Sequence, residues 1–315
     1  MDSVTNLFMV RSKTNVFRPT EQMRTFLDKH LPRDISNIHP YISRVKNYVS
    51  KVGLRGPEET TTMEQLKEAS DLKNFDPEWY MQNVIASDEA AYNMRFDFDV
   101  LHKFFNEYDV CGKRLLDVGT GPTIHTVISA SSHVDEIFLS DYTPQNLHYL
   151  EKWHKGEISQ PANVIEYVLS LEGGTRTASE VESEIRKKVQ GILPIDVTSA
   201  QPLGNFNGDT QFDIIVSSYC IGTAAFTVEE YRKCLENISS LLKKGGYLIL
   251  FVCLNGDSYQ MGDYRYRALS ITKEEIQSTL YKAGFDIKVS FEIKETDYDA
   301  IHHSFDSYYY MLATK

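Results

Sequence analysis

The chain has 315 residues, 42% hydrophobic and 24% charged, with a formal net charge of -11. That length supports one large α/β domain with an appendage, or two small domains. The acidic balance, with no dense Lys/Arg run, counts against a nucleic-acid footprint. Four widely spaced cysteines, Cys111, Cys220, Cys234 and Cys253, form no C-x-x-C pair, which argues against a zinc knuckle or disulfide framework and points to a reducing compartment. No segment reaches the roughly twenty apolar residues that cross a bilayer, and the N-terminus lacks a signal-peptide core, so a cytoplasmic protein without membrane contact is expected.

Residues 1–60 read as a separable helical extension. Met23, Phe26, Leu27 and Leu31 follow Thr20 at helical spacing, and Tyr41, Val45, Tyr48, Val49 and Val52 follow Pro40 on one face. KVGLRGPEETTT, residues 51–62, is the linker candidate. A capping box at Thr61 and Glu64 predicts a helix through Leu66, Ala69 and Leu72. Phe96, Val100, Phe104 and Phe105 then mark a buried helix over residues 95–108.

From there strands and helices alternate. Strands are expected at 114–117, 136–140, either 164–168 or 191–196, 212–218 and 247–253, with helices at 144–153, 179–190 and 228–242 between them. That rhythm implies a parallel sheet covered on both faces. It breaks at the end, where a helix over 272–283 is followed by two strands, 286–294 and 307–313, with no helix between. A closing antiparallel hairpin suits a class I methyltransferase better than a dinucleotide-binding domain.

The most informative stretch is LLDVGTGPTIHT, residues 115–126, in which an apolar run opens into Gly119-Thr120-Gly121 and then a segment able to start a helix. EIFLSD follows and ends in Asp141, placed to accept both hydroxyls of a ribose. The third glycine of the dinucleotide fingerprint is replaced by Ile124, which counts against a nicotinamide dinucleotide. The LLKKGG turn ahead of YLILFVC, together with Asp141, Asp196 and the hairpin, favours S-adenosylmethionine.

Five blocks in order, LLDVGTGPTIHTVISAS, FLSDYTPQNLHYLEKW, IDVTSAQPLG, LLKKGGYLILF and YQMGDYRY, resemble the family of small-amine methyltransferases that contains nicotinamide, phenylethanolamine, indolethylamine and thioether methyltransferases. The resemblance covers roughly residues 63–315 and leaves the first sixty uncovered. It implies an α/β fold of the class I methyltransferase type: a Rossmann-like seven-stranded sheet with a final antiparallel hairpin, here preceded by the N-terminal helical extension. Residues 61–315 would form the catalytic domain.

The resemblance also implies roles. Gly119, Thr120 and Gly121 would cradle the methionine part of S-adenosylmethionine, Asp141 and Asn146 would meet the ribose side, and Asp196 and Val197 the adenine. Ser218, a lid tyrosine at Tyr80, and His125, which stands where the family often has a tyrosine, would complete the cofactor site. On the acceptor side the chain departs from the family. The position that carries an acid in the nicotinamide and phenylethanolamine enzymes holds Cys253, a serine position holds Ala268, and a second lid tyrosine is Ile85. Tyr219 and His303 fall at other pocket-wall positions. The implied activity is methyl transfer to a small molecule, a nicotinamide-like heteroaromatic or an amine held by another group such as His303 or Asp257. A thioether or thiol acceptor, and a catalytically inactive regulatory member, are the alternatives. No metal, nucleic acid or membrane partner is expected, and a monomer is.

Overall fold

The computed structural model describes residues 67–69, 72–86, 94–294 and 304–315. The expected helical extension, the linker, the Thr61 capping box and His303 lie outside these residues. All described residues belong to the unit Gln65–Lys315.

The first described segment is a strand, β1 (Lys67–Ala69), followed by a short 3-10 turn at Leu72–Asn74, where the capping box predicted a helix. The strand forms because β1 lies parallel to a distant segment in a three-stranded sheet, a long-range pairing that local capping chemistry does not report. Asp76 caps α1 (Pro77–Tyr80) by accepting the Glu78 and Trp79 amides, and Pro77 sits at the helix start, where its missing N–H costs nothing. A π-type turn, Met81–Ile85, extends it. The expected buried helix is α2 (Arg95–Glu107).

The sheet then builds through β2 (Gly112–Val118), β3 (Val134–Asp141), α3 (Pro144–His154), α4 (Ala162–Glu172), α5 (Ala178–Lys188) and β4 (Val189–Pro194). Of the two alternatives for the third strand, residues 164–168 lie in α4 and the later segment forms β4. Next come β5 (Phe212–Ser218), α6 (Ile221–Ala224), α7 (Val228–Leu241) and β6 (Leu242–Leu254). The hairpin β7 (Ser258–Met261) and β8 (Tyr264–Arg267), then α8 (Lys273–Lys282), β9 (Asp286–Lys294) and β10 (Ser307–Thr314) complete the chain. The segment after the glycine loop forms two short 3-10 turns, His125–Val127 and Ser129–Ser132, rather than a helix. Its β-branched run is stiff, and its serines compete for the backbone: the Ser131 hydroxyl donates to the Ile128 carbonyl at 2.7 Å.

The main sheet has seven strands in the order β4-β3-β2-β5-β6-β10-β9. Strands β2 to β6 are parallel, while β10 runs antiparallel between β6 and β9, as the closing hairpin implied. Alternate residues of the central strands feed two apolar layers. Leu115, Ile214 and Ile249 face one layer with Phe98 and Phe104, and Leu116, Ile215 and Leu248 face the other with Tyr231 and Leu235. The strand order reverses between β2 and β5, so the loops leaving their carboxyl ends diverge and open a crevice, which is where open α/β sheets bind ligands. The β1-β8-β7 sheet supplies Tyr259 and Gln260 to the wall of that crevice.

Candidate active site

The crevice holds a cavity of about 960 Å³. On the β2 side its floor is the glycine loop. The Gly119 and Thr120 amides both donate to the Ser140 carbonyl at 2.9 Å, and the Ser140 hydroxyl donates back to the Asp117 carbonyl at 2.7 Å. Gly119 and Gly121 have φ of 76° and 67°, a left-handed backbone that favours glycine. A Cβ on Gly121 would meet nothing within 4 Å, so this residue leaves open room for another molecule to approach the loop.

Asp141 ends β3 and is 6% exposed. Its Oδ2 accepts the Gly121 amide at 2.8 Å. Its Oδ1 accepts the Thr143 amide at 2.7 Å and the Asn146 side-chain amide at 3.2 Å. One carboxylate therefore ties the glycine loop to the first turn of α3. Beyond β4, the Asp196 carboxylate accepts the Thr198 amide and hydroxyl at 2.9 and 2.6 Å, while Val197 is buried and its carbonyl accepts from Asn237.

The structure brings Tyr80, His125, Asn146 and Ser218 to the same cavity. Asn146 Oδ1, His125 Nδ1 and Ser218 Oγ are buried polar atoms with no hydrogen-bond partner. Orphaned atoms of this kind are costly unless something else supplies a partner. Burial holds His125 down to about 4, so its ring is neutral at pH 7 and can donate only as a neutral tautomer, which removes the protonated form as a partner for a carboxylate. With a diol-matching carboxylate, an open glycine cradle and these three polar atoms around one space, the residues fit an adenosyl cofactor.

Opposite lies a wall rich in aromatic side chains. Tyr219 directly follows β5 at φ 56°, a conformation uncommon for a non-glycine residue, and its amide donates to the Phe251 carbonyl at 3.0 Å. Cys253 and Ala268 also line this part of the cavity, and Cys253 sits across from Tyr308 in the β6–β10 register. Ile85 is instead buried in the core. Asp257 is exposed, and its carboxylate accepts the Ser258 and Ser304 hydroxyls at 2.9 Å, so the structure does not offer it to the cavity.

Sequence reasoning missed Asp97. It lies in the first turn of α2, 6% exposed, and lines the cavity. The Tyr219 and Tyr310 hydroxyls both donate to its Oδ1, at 2.7 and 2.8 Å. Burial pushes its carboxyl up to about 6 against the lowering effect of those two bonds. The signal was there: Asp97 stands in register with Leu101, Phe104 and Phe105, a carboxylate on the apolar face of a helix. Among the described residues no group of three His, Cys, Asp or Glu side chains is arranged to hold a metal.

Comparison with known proteins follows the same lines. Residues 63–315 match the model of the NNMT/PNMT/TEMT family. Nicotinamide N-methyltransferase of Sus scrofa is 34% identical over 235 residues, 73% of this chain and 88% of that protein. The Homo sapiens nicotinamide N-methyltransferase is 33% identical over 78% of this chain and 94% of its own length. Indolethylamine N-methyltransferase of Mus musculus is 30% identical over 77% and 94%. The chain belongs to the NNMT/PNMT/TEMT family, and with it to the S-adenosylmethionine-dependent methyltransferases.

Proposed function

We propose that the protein methylates nitrogen on a small molecule, a nicotinamide-like heteroaromatic or an amine. The observation that carries this is one continuous cavity, with the glycine loop and Asp141 at one side and the Tyr219, Cys253 and Ala268 wall at the other. When bound, S-adenosylmethionine supplies a methyl group already activated by its sulfonium charge. The chain then has to orient the acceptor and exclude water. In this assignment Asp141 and Asn146 hold the ribose, Gly119, Thr120 and Gly121 the methionine part, and Asp196 and Val197 the adenine. Ser218, His125 and Tyr80 close around it.

The net charge of -11 supports a small acceptor over a nucleic acid, and no helix among the described residues is long and apolar enough to cross a membrane. The proposal extends to a cytoplasmic monomer in which residues 61–315 are the catalytic domain and 1–60 an accessory extension. Adding the protein and methyl-labelled cofactor to a cell extract should yield a labelled, N-methylated metabolite. Labelled products confined to sulfur would overturn the nitrogen assignment, and no product from any extract would overturn the activity.

A further inference from the structure

The buried bracket around Asp97 has no obvious structural economy. Two phenols spend their protons on Oδ1, and among the described residues no protein donor bonds Oδ2 and no cation pairs with the carboxylate. Two neutral hydroxyls do not neutralise a charge, and an unpaired buried carboxylate costs several kcal/mol. An asparagine would hold two tyrosines with far less penalty.

Its surroundings suit an organic cation. Tyr219 packs edge-on to Tyr308 at 5.8 Å, and Phe251 packs edge-on to Tyr310 at 4.6 Å, so the carboxylate looks out from an aromatic frame. Such a frame favours an apolar body bearing a positive group. The carboxylate comes from α2 and not from β6, which carries the Cys253 position where the resemblance placed an acid; both Asp97 and Cys253 neighbour Tyr219.

We infer that Asp97 is the acceptor-binding carboxylate of this enzyme, its Oδ2 taking an N–H of an amine acceptor while Tyr219 and Tyr310 fix its plane. This rests on the N-methyltransferase reading. For an acceptor that arrives as an ammonium, one N–H bond breaks, its electron pair stays on nitrogen, and the proton joins Asp97 Oδ2. The result is a neutral amine beside a neutral carboxylic acid. A carboxyl raised to about 6 is a better proton acceptor for this than one in water.

The test uses the full chain saturated with S-adenosylhomocysteine, with benzylamine and benzyl alcohol as probes that differ in charge but share a ring. Calorimetry should show benzylamine binding roughly tenfold tighter or more than the alcohol, the size of one charge-assisted hydrogen bond. Asp97→Asn should erase that preference. Tyr310→Phe, which lies outside the cavity wall, should keep it but move its loss on acidification to higher pH, because the carboxylate has one donor fewer. The groups facing Asp97 are Tyr80, Tyr219 and Tyr310, with Cys253 and Tyr308 beyond Tyr219. His125, edge-on to Phe98, stays neutral above about 4. No amine preference in the unsubstituted protein, a preference that survives Asp97→Asn, or an unmoved midpoint in Tyr310→Phe would each overturn the inference. Binding of S-adenosylhomocysteine, measured beforehand by titrating it into the ligand-free chain, reports on the cofactor reading separately.

Discussion

Gly119 and Cys220 touch so closely that a Cβ on the glycine would overlap the cysteine sulfur. The loop that follows β2 is thus packed against the residue that follows Tyr219. Gly119→Ala has to move that contact and also adopt a left-handed backbone. Overpacking and strain together predict a loss of about 2–5 kcal/mol. Gly121→Ala meets open space and carries only the backbone cost, about 1–2 kcal/mol. Thermal unfolding of the two variants should rank them in that order, while calorimetry should find cofactor binding impaired in both.

Asp141 accepts three hydrogen bonds before any ligand arrives. Asp141→Asn replaces an acceptor by a donor opposite the Gly121 amide and weakens the remaining acceptor. A charge-assisted bond is worth about 1.5–3 kcal/mol, so S-adenosylhomocysteine affinity should fall by roughly ten- to a hundredfold. An unchanged dissociation constant would remove Asp141 from the proposed ribose contact.

His125 gives a pH signature. Its folded value of about 4 lies below the ordinary 6.5, so between the two the unfolded chain binds more protons. Its contribution to stability is therefore fully present above 6.5 and lost as the pH falls towards 4, on the order of 3 kcal/mol in all. Asp97 and Asp117, raised by burial to about 6 and about 7, act in the opposite direction over an overlapping range. The informative quantity is the difference in Tm between the unsubstituted protein and His125→Phe. It should shift in favour of the variant as the pH drops from 7 to 4.5.

Trp153 links the EKW block to the glycine loop. Its indole N–H donates to Glu182 Oε1 at 2.8 Å, and the same oxygen accepts the Gln160 amide at 2.9 Å and the Arg186 guanidinium at 2.8 Å. Gln160 in turn donates to the Pro122 carbonyl at 3.1 Å, beside the glycine turn. Glu182→Ala leaves three donors without their acceptor and should destabilise by about 3–5 kcal/mol, as for a broken buried pair. Glu182→Gln, which keeps one acceptor, should lose less. Both effects would appear as reduced Tm, with cofactor affinity falling in parallel because the loop has lost its brace.

The parallel half of the sheet was legible in the sequence because its strands are apolar runs ending in Asp117, Asp141 and Ser218, each followed by turn residues. β4 stayed ambiguous because Val164, Ile165 and Val168, a β-branched cluster, look strand-like and yet pack as one face of α4. β1 was illegible for a different reason: its partner, Tyr264–Tyr266, lies nearly two hundred positions away, and no local pattern encodes that pairing. The residues proposed for the cofactor side could be nominated from sequence because single loops carry their motifs. Asp97 showed in the sequence only as a carboxylate on an apolar helix face, and the rest of its setting depends on Tyr219 and Tyr310 arriving from two other elements.

The strand order has one more consequence. Under the proposed assignment the donor is gripped by loops after β2, β3 and β4, and the acceptor is met by residues after β5, on β6 and from the β7–β8 hairpin, with Asp97 reaching in from α2. In the main sheet β2, β3 and β4 lie on one side of the β2–β5 seam and β5 and β6 on the other, while the β7–β8 hairpin belongs to the separate three-stranded sheet. Substitutions at Cys253 or Ala268 can then redraw acceptor choice while the donor grip stays intact. Such an architecture lets a lineage explore new substrates without relearning its chemistry.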